Sequence, residues 1–104
     1  MQETQVKGRS LNELCELCHS IAVEKGFWEK ERNVGEALML VVTELAEAME
    51  AHRVSDDANF KEEIADVFIR LLDFCGGMKI DIEEEVYQKA MRNKKRPYKH
   101  GKIC

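Results

Sequence analysis

The sequence predicts an all-α fold, on three observations. Proline occurs once in 104 residues, whereas Glu, Lys, Leu and Ala, all good helix formers, are abundant. Apolar residues recur at the three- and four-residue spacing of one helix face, as in Leu11, Leu14, Cys15, Cys18, Ile21 and Ala22. Capping signals precede such runs: Ser10 with Glu13, and Asp81 with Glu84.

The first helix accordingly spans about residues 10–25 and stops at Gly26, with GFWEKERN as a loop that holds the only tryptophan. A second helix covers about 34–53, and SDDAN is a turn rich in N-cap residues. The third helix runs over about 59–75, with Gly76-Gly77 expected to stop it. The fourth covers about 81–93, and Pro97 leaves 94–104 as an extended basic tail. No linker interrupts the chain, so 1–104 forms one domain. At 44% hydrophobic and 35% charged residues it is globular rather than disordered or fibrous. The polar start MQETQVKGRS lacks the apolar core of a signal peptide, and the longest wholly apolar run, Ala37 to Val42, is too short to span a bilayer. These features predict a soluble cytoplasmic protein with no membrane partner.

Charge is unevenly placed. From Lys89 to Cys104 there are seven Lys or Arg and no acid, which leaves nine basic residues against twenty acids elsewhere. Such a tail suits nucleic acid, or a phosphate ligand whose metal ion contacts the acidic body. The segment CELCH (Cys15, Cys18, His19) has the spacing of c-type haem attachment. Haem attachment belongs to exported chains, however, and these residues read better as core thiols beside a surface histidine. Glu16 and His19 give one E-x-x-H step, where a di-iron bundle needs two.

Two pairs of acids interrupt apolar helix faces. Glu44 and Glu47 are one turn apart and share a stripe with Leu40, Val41, Ala48 and Ala51. Glu63 and Asp66 repeat the device amid Ile64, Ala65, Val67 and Phe68. A short turn between antiparallel helices brings the pairs to similar heights. Four carboxylates facing one another repel unless a cation joins them, and oxygen-only ligands point to magnesium or manganese. The rival reading makes them solvent-facing acids, with Glu63, Asp66, Arg70 and Asp73 as one solvated stripe.

The pattern E-x-x-E, fifteen residues, E-x-x-D, followed by K-x-x-x-N-x-x-R-P-Y-x-H-G-K, resembles the MazG-like all-α nucleoside triphosphate pyrophosphohydrolases over roughly residues 10–102. The resemblance implies a four-helix MazG-like bundle completed by oligomerisation, as a homodimer or homotetramer. It implies magnesium-dependent cleavage of a (deoxy)nucleoside triphosphate between the α- and β-phosphates, with nucleotide-pool house-cleaning as the role. Glu44, Glu47, Glu63 and Asp66 map onto metal ligands, and Glu47 is favoured as the acceptor of the attacking water's proton. Lys89, Asn93, Arg96 and Lys99 map onto the phosphate-contacting end. Phe27 and Trp28 either hold the nucleobase or plug the core, and Asn33 either reads a base edge or caps the second helix. The alternative function is a non-enzymatic nucleic-acid-binding helical protein that uses the basic tail.

Overall fold

The computed structural model describes residues 9–98, which form four helices: α1 (Leu11–Glu24), α2 (Val34–Arg53), α3 (Asp57–Gly77) and α4 (Ile82–Lys94). No strand occurs among the described residues, and none of these helices is long and apolar enough to cross a membrane. Lys99 and the end of the tail lie outside the described residues.

Each helix begins on a side-chain cap. Ser10 and Glu13 form a reciprocal capping box, with Ser10 N–H donating to Glu13 Oε1 at 2.9 Å and Glu13 N–H donating to Ser10 Oγ at 3.2 Å. Asn33, Asp56 and Asp81 accept from the amides of Glu36, Asn59 and Glu84 and start the other three. The Asp56 cap starts α3 at Asp57, two residues before the expected position.

The ends of α1, α2 and α3 follow one rule. Gly26 (φ 88°), Ser55 (φ 58°) and Lys79 (φ 58°) take left-handed backbone just past α1, α2 and α3. In each case the following amide reaches back to a carbonyl of the last turn: Phe27 to Ala22, Asp56 to Ala51 and Ile80 to Cys75, all at 2.9–3.0 Å. The expected stop at Gly76-Gly77 is therefore corrected, because both glycines lie inside α3. They are small for packing. A β-carbon on Gly76 would stand 2.8 Å from His19 Cβ and 3.0 Å from the Cys15 carbonyl, and one on Gly77 would overlap the Trp28 ring. Helix α3 continues through the pair because α1 and the loop crowd its last turn.

Helix α3 is the central element, with α1 and α2 both packed along it, and α4 rests mainly on α1. A small core joins Cys15, Leu72 and Cys75, with Leu11, Leu14, Cys18 and Ile82 against it. Cys15 and Cys75 are thus core thiols, and their burial pushes both above the usual thiol range. Helix α4 is anchored by Ile82 and by Asn12, whose side-chain amide donates to Asp81 Oδ1 at 2.8 Å. It buries no residue fully, and Ile82 itself is half-buried. The radius of gyration is 16.4 Å, against about 13 Å for a compact chain of this length.

Candidate functional site

Helices α2 and α3 are joined by a turn of three residues, so they pack antiparallel and set Glu44 opposite the α3 acids. Small residues flank Glu44 on its buried line: Ala37, Ala48 and Ala51 let the two backbones approach. Glu44 is itself only 7% exposed, while Glu63 and Asp66 are half-buried and Glu47 is exposed at the rim. One carboxylate oxygen from each of Glu44, Glu63 and Asp66 lies within 4.8 Å of the others. That spread matches ligands on a single hard cation, whose oxygens sit about 2.0–2.6 Å from the ion. The donor set is all carboxylate, which suits magnesium, manganese or calcium better than zinc or copper. The three residues could hold a metal ion, and Glu47 stands next to them.

The electrostatics record the crowding. Glu47 is raised above the usual carboxylate range chiefly by a hydrogen bond shared with Glu44, then by the Glu44 charge. Glu63 is raised first by desolvation, then by the charge of Glu47 and a hydrogen bond with Asp66. Arg70 is the one ion-pair partner of the cluster among the described residues, its Nε donating to Glu44 Oε1 at 2.9 Å.

An open cleft of about 250 Å³ adjoins the cluster. Its walls include Glu44, Asp66 and Arg70 from the helices and Lys25, Phe27 and Arg32 from the loop. Phe27 is 59% exposed, so an apolar ring face is presented at the edge of a polar cleft. Trp28 is held differently. Its indole N–H donates to Asp73 Oδ1 at 2.9 Å, its ring meets His19 edge-on at 4.9 Å between centroids, and the Arg32 guanidinium lies 5.2 Å from its centre. Asn33 caps α2.

Asp73 is only 6% exposed and also takes His19 Nδ1 at 3.0 Å and an Arg32 N–H at 3.3 Å. Because a carboxylate only accepts, His19 carries its proton on Nδ1. One expectation is corrected here: His19 is a half-buried partner of Asp73 rather than a surface histidine. Of the residues in the rival solvated stripe, Asp66, Arg70 and Asp73 line the cleft.

The basic end stands apart. Lys89 and Asn93 share one face of α4, with Ile82 and Val86, along a separate groove. Asn93 Oδ1 is buried with no hydrogen-bond partner among the described residues, and Arg96 is exposed just past the helix. Among the described residues α4 contributes nothing to the cleft beside Glu44. Sequence reasoning missed Lys25, Arg32, Arg70 and Asp73 as cleft residues. For Arg70 a signal existed, since it lies four residues after Asp66 and seven after Glu63, on one helical face. For Arg32, in an irregular loop, no periodic signal exists.

No family model, curated protein or solved structure matches the chain.

Proposed function

We propose that the protein is a magnesium-dependent nucleoside triphosphate pyrophosphohydrolase of the MazG-like kind. The observation that carries this reading is the convergence of Glu44, Glu63 and Asp66 at the wall of a cleft that also presents cations and an aromatic ring. A divalent ion held there supplies charge neutralisation at phosphoryl oxygens and lowers the pKa of water.

The chain's own residues then have distinct tasks. Glu44, Glu63 and Asp66 hold the cation, while Lys25, Arg32 and Arg70 line the path for a polyanion. Glu47, exposed and raised in proton affinity, accepts a proton from water as that water attacks the α–β anhydride. The bridging P–O bond breaks with its electron pair leaving on the departing phosphate group, so the products are monophosphate and pyrophosphate. Phe27 offers a surface for the base.

Lys89, Asn93 and Arg96 reach such a cleft most simply from a second copy. Helix α2 supplies a seam for one: Leu38, Val42, Leu45 and Met49 follow the alternating four- and three-residue step of a coiled coil. All four are exposed, by 43–58%. A homodimer or homotetramer packed on this seam accounts for the large radius of gyration of the single chain.

The testing experiment incubates the protein and Mg²⁺ with a panel of canonical and oxidised nucleotides and resolves the products. Monophosphate with pyrophosphate is expected; diphosphate with orthophosphate places the cut at the wrong bond and ends the proposal.

A further inference from the structure

The geometry points to Arg70 as a displaceable counter-cation: it neutralises Glu44 while the carboxylates hold no metal, and turns its guanidinium to the substrate's phosphates when a metal ion takes its place. The inference rests on the metal-site reading above and adds a phosphate-contacting residue to it.

Four observations lead there. The pair with Glu44 is close, at 2.9 Å, yet it uses Nε alone. A guanidinium carries five N–H donors, and among the described residues this is the sole hydrogen bond of the Arg70 side chain, so both terminal nitrogens retain their donors. The Arg70 side chain is 35% exposed, against 10% for that of Glu44, so the arginine is the partner with room to move. It also lines the cleft beside Asp66, where a phosphate bound to a metal on these carboxylates would stand. Arg32 is the contrasting case. It lines the same cleft but is tied to Asp73 and stacked over Trp28.

A divalent cation and a guanidinium compete for the same carboxylate. Adding the metal withdraws Glu44 from Arg70, and a triphosphate offers the released fork a bidentate acceptor. Arg70 is therefore expected to weaken metal binding in the absence of phosphate and to strengthen phosphate binding in the presence of metal.

The test measures Mn²⁺ binding by calorimetry, then binding of inorganic tripolyphosphate at saturating Mn²⁺, for the wild type, Arg70→Gln, Arg70→Lys and Asp66→Asn, with circular dichroism on each. Tripolyphosphate makes the result independent of the preferred base. Arg70→Gln is expected to bind Mn²⁺ several-fold more tightly and tripolyphosphate about tenfold more weakly, the scale of one charge-assisted hydrogen bond. Arg70→Lys keeps the charge but not the fork, so it is expected to hold Mn²⁺ within about twofold of wild type and still lose tripolyphosphate affinity. A strut role alone would move neither value in this opposed way. Unchanged Mn²⁺ affinity in Arg70→Gln, with Asp66→Asn losing Mn²⁺, overturns the inference and leaves the metal site standing. Tighter Mn²⁺ with unchanged tripolyphosphate overturns the phosphate contact. Absence of Mn²⁺ binding to the wild type overturns the metal site and the inference together.

Discussion

Asp66 and Asp73 stand two turns apart on one face of α3, and their surroundings teach opposite lessons. Asp73 is buried among donors: a histidine N–H, an indole N–H and a guanidinium all point at its two oxygens. A buried carboxylate so supplied is a strut, fixing α1, the 25–33 loop and α3 to one another. Around Asp66 the balance is reversed, with four carboxylates (Glu44, Glu47, Glu63 and Asp66) against the single guanidinium of Arg70. Two of the four are pushed above the ordinary carboxylate range, and neither Asp73 nor its partners contribute to those shifts. One region is electrostatically complete; the other is short of positive charge, and its carboxylates could take a cation.

The largest expected effect falls on the acids of the second region. Glu63→Gln, Asp66→Asn and Glu44→Gln are each expected to lower triphosphate turnover by about two orders of magnitude or more, as for loss of a stabilising charge at a reacting phosphate, with helicity unchanged. Wild-type rates in both Glu63→Gln and Asp66→Asn would return these acids to ordinary surface charges.

Asp73 should answer to stability instead. Asp73→Ala leaves a half-buried guanidinium and two ring N–H groups without their acceptor, and urea denaturation is expected to show a loss of about 3 kcal/mol. A loss below about 1 kcal/mol would mean that the three donors find other partners and that Asp73 is no strut. The same region has a second handle in Gly77, where a methyl group displaces the Trp28 ring and with it the bond to Asp73. Gly77→Ala should cost about 1–3 kcal/mol, visible as a lower melting temperature and a shifted tryptophan emission.

The smallest effect is on pH dependence. Glu47 and Glu63 bind protons more tightly in the folded protein than in the unfolded chain, so their contribution is present below the ordinary value of 4.5 and is lost as pH rises through the raised values. Glu13 and Asp81, lowered mainly by hydrogen bonds from Ser10 and Asn12, act in the opposite sense and lose stability as pH falls. The metal-free urea midpoint should therefore fall more steeply above pH 4.5 in the wild type than in Glu47→Gln/Glu63→Gln, and equal slopes would remove the crowding argument.

Most of the fold was legible because local signals set it. Caps at Ser10, Asn33 and Asp81 start helices close to where the residue types place them, and the paired acids sit on periodic faces. Gly76-Gly77 misled because the sequence shows a glycine's freedom but not the Trp28 ring and the α1 backbone packed against it. The Asp73 cluster was hidden for a related reason: its members come from α1, the loop and α3, and no spacing rule connects residues 19, 28, 32 and 73. Helix α4 was read correctly as a helix. Its distance from the carboxylates is a tertiary fact, set by Ile82 and Asn12 holding it on α1.

Thermal unfolding with and without Mn²⁺ decides whether the second region lacks a cation and the first does not. At about one hundred times the dissociation constant, a ligand that binds only the folded state adds about 2.7 kcal/mol. For a domain of this size that corresponds to a rise on the order of 10 °C in melting temperature. That rise is expected for the wild type and for Gly77→Ala, whose lesion lies in the first region, and little or none for Asp66→Asn. Equal shifts in the wild type and Asp66→Asn, or no shift in either, would mean that these carboxylates are not a cation site.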